Sequence, residues 1–154
     1  MNIQPGIGIG QIKFGISEEQ LIAVLGKPLS VKEGEYVENS GDYNRELFYQ
    51  EDLSFTFDSE DSYRLGLITI RHQGHTLFGR DLIGLPVEIV KSFISKEASE
   101  VPKFKDWSYE DVLNHISLDY DNLGLSFWFD DNLLDEIQCS YLFFEDGNTV
   151  KWPE

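Results

Sequence analysis

Few residue groupings in this chain have the types and spacing for chemistry, and each has a plain structural alternative. His72-Gln73-Gly74-His75 offers two imidazoles to a metal ion, but Gly74 marks a turn and no acid or cysteine is tied to them by spacing. Asp119, Asp121, Gly124 and Asp130 fall at the first, third, sixth and twelfth positions of a calcium loop. The fifth position is Leu123, however, and the flanks read as strands, so a solvated hairpin tip is the favoured reading. Gly6-Ile7-Gly8-Ile9-Gly10 resembles a phosphate cradle only superficially: no strand precedes it and no Gly-Lys-Ser/Thr follows. Cys139 lies on the apolar side of its segment and reads as a small buried hydrophobe. The pairs Asp130-Asp131, Asp135-Glu136 and Glu145-Asp146 suit general acid and base work, but an acidic chain supplies such pairs by abundance. No serine has a base and an orienting group beside it, so the sequence predicts no catalytic constellation, no bound metal and no cofactor.

The elements that must position these residues are visible because much of the sequence occurs twice. Leu53-Ser54-Phe55-Thr56-Phe57-Asp58 returns as Leu125-Ser126-Phe127-Trp128-Phe129-Asp130, 72 residues later. Gly10, Phe14-Gly15-Ile16 and Leu25 match Gly79, Ile83-Gly84-Leu85 and Ile94 at an offset of 69, as Leu65, Ile68 and Ile70 match Leu134, Ile137 and Cys139. The pattern predicts a single domain over residues 1–154, built of two repeats at about 7–75 and 76–150. In the first, Ser17 and Gln20 form a capping box for a helix carrying Leu21, Val24 and Leu25, which Gly26-Lys27-Pro28 ends. In the second, Pro86 opens a helix with Val87, Val90 and Ile94.

Polar stretches follow at 31–44 and 95–114, the second containing a short helical turn at 107–113. Three strands then come in each repeat, at 46–50, 53–57 and 65–72, and at 116–120, 125–129 and 134–143. The lead, residues 1–14, is turn-prone and ends in a short strand at 11–14. The predicted fold class is therefore α+β: two tandem α-β-β-β repeats, with helices packed on one face of an antiparallel sheet and the other face open. Whether the two meanders join into one sheet is left undecided.

Alternation turns Leu53, Phe55, Phe57, Leu125, Phe127 and Phe129 toward the helices. The opposite face then carries Glu46, Phe48, Thr56, Arg71, Asp119, Trp128 and Gln138. Trp128, a large aromatic among polar neighbours, is the residue most suggestive of a binding surface, unless the segment 95–114 folds over it.

Charge narrows the partners. Twelve Lys and Arg face 28 Asp and Glu, a net of −16, and the second half is the more acidic, with six basic against sixteen acidic residues after His75. A nucleic-acid binder needs a basic face, which this composition does not provide. No apolar run is long enough to span a bilayer, no basic-then-apolar start marks a secretory leader, and the single cysteine supports neither a disulfide nor a zinc cluster. A cytoplasmic location is expected.

The run Phe14-Gly15-Ile16-Ser17-Glu18-Glu19-Gln20-Leu21 with Leu25-Gly26-Lys27-Pro28, doubled with a meander after each helix, resembles the beta-lactamase inhibitor protein architecture. It is also similar to the single unit of outer-membrane assembly lipoproteins. The second copy keeps Gly84-Leu85 but lacks the Leu-Gly-x-Pro exit, and without leader, lipidated cysteine or disulfide the secreted and membrane roles do not carry over. In size, acidity and aromatic content the chain resembles immunity proteins of bacterial polymorphic-toxin and contact-dependent inhibition systems. That resemblance implies a non-catalytic protein that occludes a cognate, basic toxin domain. Its expected contacts are the aromatic anchors Phe48 and Trp128 and the carboxylates Glu46, Asp119, Asp121 and Asp131. Two alternatives stand beside it: an adaptor that binds a peptide or assembles subunits through the same face, and a small-ligand or metal enzyme near His72, His75 and His115.

Overall fold

A capping box and an apolar stripe place the first helix, and the second, which opens after Pro86 without a side-chain cap, is placed by its apolar stripe. The Ser17 hydroxyl accepts from the Gln20 amide at 3.1 Å and the Gln20 side chain accepts from the Ser17 amide at 2.8 Å, the reciprocal box expected from the sequence. The computed structural model describes residues 1–35 and 37–154. In chain order, the lead forms β1 (Asn2–Gln4), β2 (Gly8–Ile9) and β3 (Ile12–Lys13), followed by α1 (Glu18–Leu25). Four strands come next: β4 (Ser30–Glu35), β5 (Tyr43–Phe48), β6 (Ser54–Asp58) and β7 (Arg64–Ile70). After β8 (Thr76–Leu77) and α2 (Val87–Glu97) come β9 (Lys103–Asp106), β10 (Ile116–Tyr120), β11 (Leu125–Asp130) and β12 (Leu133–Ser140). The chain closes with the small hairpin of β13 (Leu142–Phe143) and β14 (Val150–Lys151).

The protein is mixed α+β and built mainly of antiparallel strands. β4 to β7 and β9 to β12 join in one eight-stranded sheet of order β4-β5-β6-β7-β12-β11-β10-β9. The join is an antiparallel pairing of β7 with β12, in which Ile70 faces Ile137 and Ile68 faces Cys139. Among the described residues, four strands of this sheet, not three, thus follow each helix. β4 and β9 lie inside the stretches read as polar connections, and every residue of both is exposed. As edge strands they bury neither face, so no alternation advertises them. The expected helical turn at 107–113 is instead the tip of the β9–β10 hairpin, where Tyr109 and Val112 exchange backbone hydrogen bonds of 2.9 and 2.7 Å. The long strand expected at 134–143 breaks after Ser140.

The lead is more ordered than its glycines suggested. β1 to β3 and β8 form a second sheet, β3-β2-β1-β8, whose Ile3, Ile9 and Ile12 are buried. Gly8 permits this tight fold: at φ +152° a Cβ there would lie only 1.9 Å from the Ile12 carbonyl oxygen.

Leu47, Phe55, Phe57, Ile68 and Ile70 join Leu118, Phe127, Phe129, Ile137 and Cys139 in one core with Leu21, Val90 and Ile94 of the helices. Two bulges keep that face apolar. Pairing shifts after Thr56 and after Trp128, leaving Gly66 and Asp135 without partners, so Leu65 and Leu134 still turn inward. The helices lie on this side, and the opposite side of the same strands carries the polar and aromatic residues considered next.

Candidate protein-binding face

Register across the eight strands determines which side chains meet on the opposite face. One row runs Phe48, Ser54, Thr69, Gln138, Ser126, Asp119, Lys103. The next places Glu136 opposite Trp128, Trp128 opposite Ser117 and Ser117 opposite Lys105, with Arg71 at the end of β7 reaching Glu136. A third aligns Lys32, Glu46, Thr56, Leu67 and Ser140. All seven residues that alternation assigned to this face lie on it.

Arg71 is the centre of the polar part. Its Nε donates to Glu136 Oε1 at 2.7 Å, its Nη2 lies 3.5 Å from Glu46 Oε2, and its Nη1 donates to the Asp52 carbonyl at 3.1 Å. The Ser54 hydroxyl donates to Glu46 at 2.6 Å, and the Gln138 amide donates to Glu136 at 2.8 Å. The guanidinium lies 5.9 Å from the Phe48 ring centroid. Asp52 presents its carbonyl from a two-residue turn in which Glu51 and Asp52 both have left-handed backbones, φ 58° and 57°. Ser54, Thr56, Thr69 and Ser117, small side chains on this face, are buried.

Aromatic residues form the other part. Trp128 is half-buried and packs against both Trp107, at 5.4 Å and 35°, and His115, at 5.8 Å and 32°. Trp107 donates its indole N–H to the Ser117 hydroxyl at 2.9 Å. Among the described residues the buried Trp128 indole N–H has no acceptor. Trp107, 44% exposed, is the ring that faces outward, and Lys105 Nζ lies 5.7 Å from its centroid. The segment weighed as a cover for Trp128 does fold over it, through Trp107. Sequence reading passed over Trp107 because it stood in a stretch taken as a connection. Its place opposite His115, set by the Trp107 amide donating to the His115 carbonyl at 2.8 Å, depends on the hairpin register.

The expected contact residues divide accordingly. Glu46, Phe48, Asp119 and Trp128 share the face. Asp121 sits in the β10–β11 turn with Lys103 Nζ 2.5 Å from its carboxylate. Asp131 stands at the tip of the β11–β12 hairpin, where neighbouring Asn132 accepts from the Val87 amide, beside the start of α2 and away from the face. Glu46 and Asp121 are not bare acids waiting for a partner's cations, because Arg71 and Lys103 already pair with them. Along its strands Lys32, Arg71, Lys103 and Lys105 stand among Glu46, Asp119 and Glu136, while Asp52, Asp121 and the Asp58, Glu60 and Asp61 group add acids at the ends of the face.

Other candidate chemistry lies in the core, at the N-terminus and at the end of this face beside Thr56, Leu67 and Ser140. The Cys139 thiol is fully buried and pushed up to about 12 by desolvation. His75 is held below its ordinary pKa by burial and by the N-terminal amine, 3.1 Å from its Nδ1. Asp61 is raised by burial beside Tyr141, whose hydroxyl donates to it at 3.2 Å, and lines a small cleft of about 250 Å³ with Asp58, Glu60 and Thr56. Among the described residues no group of three His, Cys, Asp or Glu is arranged to hold a metal ion. No helix is long and apolar enough to cross a membrane. The chain matches no family model, no curated protein and no solved structure.

Proposed function

We propose that this protein is a non-catalytic inhibitor of the immunity-protein kind, which works in the cytoplasm by covering a cognate toxin domain with the face opposite its helices. The observation that carries this reading is the Trp107–Trp128–His115 cluster, on the same face as Arg71 and Phe48 and on a sheet surface that neither helix covers. Tryptophan and arginine are enriched among the few residues that dominate the energetics of protein interfaces. A net charge of −16 would draw in a basic partner from a distance. Long-range charge contributes to the rate of encounter and the aromatic rings to the lifetime of the complex.

The same reading takes the chain as two tandem copies of one helix-and-meander unit. The mirrored strand order and the two bulges, after Thr56 in one half and Trp128 in the other, support a duplication. On that view the first copy has Thr56 where the second has Trp128, and binding arose where the copies diverged.

The test is calorimetric titration of the protein with the product of the gene adjacent to its own. Trp107→Ala and Trp128→Ala should each weaken binding by about 30-fold, a loss of about 2 kcal/mol. Raising the salt concentration should slow association more than it speeds dissociation. Absence of binding by the unaltered protein, or variants that bind as well as it does, would overturn the proposal.

A further inference from the structure

We infer that the tip of the β9–β10 hairpin, residues 107–115, is the element that enters the partner, and that it fills an apolar pocket rimmed by Lys or Arg. This rests on the reading of the protein as an inhibitor. Within this short tip four large apolar side chains are exposed: Trp107 at 44%, Tyr109 at 66%, Val112 at 38% and Leu113 at 66%. Concentration of this kind on one protruding turn differs from singly scattered surface hydrophobics, which need no explanation.

The tip is braced before any partner arrives. Trp107 is tied to Ser117 and stacked on Trp128, and the Ser108 hydroxyl accepts from the His115 amide at 3.0 Å. Asp106 accepts from the Ser108 amide at 2.9 Å, and Tyr109 and Val112 close the turn. Glu110 and Asn114 hold left-handed backbones, φ 43° and 56°. A tip ordered in advance loses little conformational entropy on docking.

Charge identifies the occupant. Asp106, Glu110 and Asp111 alternate with the apolar side chains. The Ser108 hydroxyl and amide hold the Asp106 carboxyl below the usual aspartate range, so it stays charged. Two carboxylates on the tip and a third at its base, in a chain of net charge −16, repel a second copy and favour a basic surface.

The experiment measures association of the adjacent-gene product with Tyr109→Ser, Leu113→Ser and the charge reversal Glu110→Lys/Asp111→Lys. Val101→Ser serves as control: Val101 is 87% exposed and lies outside the tip. These side chains are exposed, so the variants should fold as the parent does, which circular dichroism checks. The expected result is a loss of about 10- to 30-fold for each apolar variant, carried by faster dissociation. The charge reversal should instead slow association, and Val101→Ser should bind like the parent. If the unaltered protein binds and the tip variants bind equally well, the role of the tip is refuted while the inhibitor reading stands. If the unaltered protein does not bind, both fall.

Discussion

Replacing Arg71 by methionine should destabilise the fold substantially, and the size of the loss follows from what the guanidinium touches. Glu46 and Glu136 are about four-fifths buried, each with 21% of its side chain exposed, and Arg71 is the cation that both contact. Methionine keeps an apolar stem against Phe48 but leaves two largely buried carboxylates, one on β5 and one on β12, without their counter-charge. Breaking a fully buried pair costs about 3–5 kcal/mol. Residual solvent at this site screens part of that, so roughly 2–3 kcal/mol is expected here. With a urea m-value of about 2 kcal/mol/M, the unfolding midpoint should fall by roughly 1–1.5 M. Glu46→Gln and Glu136→Gln added to Arg71→Met should recover much of the loss, because the amides accept from Ser54 and Gln138 without bearing charge. Equilibrium unfolding in urea at neutral pH, followed by tryptophan fluorescence and circular dichroism together, measures all three proteins. An Arg71→Met loss of less than about 0.5 kcal/mol would refute the reasoning, because a loss that small is typical of exposed pairs. So would a triple variant no more stable than the single one: the penalty would then not come from unpaired carboxylates.

Two further outcomes are expected of the fold. Glu51 and Asp52 occupy consecutive left-handed positions at the β5–β6 turn, where Asn-Gly is the preferred pair, so Glu51→Asn/Asp52→Gly should stabilise the protein by about 1 kcal/mol. The Arg71 contact to the residue 52 carbonyl survives this change, and a scanning calorimeter should record a rise of about 2–4 °C. Asp61 titrates above its ordinary value because burial disfavours its charge, so the folded state binds a proton more readily than the unfolded one. Asp61 therefore costs stability at neutral pH, and that cost disappears as pH falls through the folded value toward the ordinary 3.8. Asp61→Asn should be more stable than the parent at pH 7 and indistinguishable from it near that lower limit. Equal stability at both pH values in urea unfolding would rule the account out.

The sequence by itself determined what depends on neighbours close along the chain. Ser17 and Gln20 announce their helix because both halves of the capping box lie within one turn. Leu125, Phe127 and Phe129 announce the buried side of β11, because a strand with one face in the core must alternate. From that alternation alone Glu46, Phe48, Asp119 and Trp128 could be put on one surface. Tertiary structure decided everything set by register between distant segments. β4 and β9 bury neither face and leave no periodic trace until a partner strand claims them. The joining of the two meanders is a β7–β12 pairing between residues far apart in the chain. Arg71 turned out to hold Glu46 and Glu136, and Lys103 to hold Asp121, so carboxylates that looked available in the sequence are already paired. Asp131 left the face because a hairpin tip, not strand alternation, directs it. Trp107 joined Trp128 for the same reason: the β9–β10 register brings Trp107 onto the face that Trp128 shares, and only the folded chain contains that register.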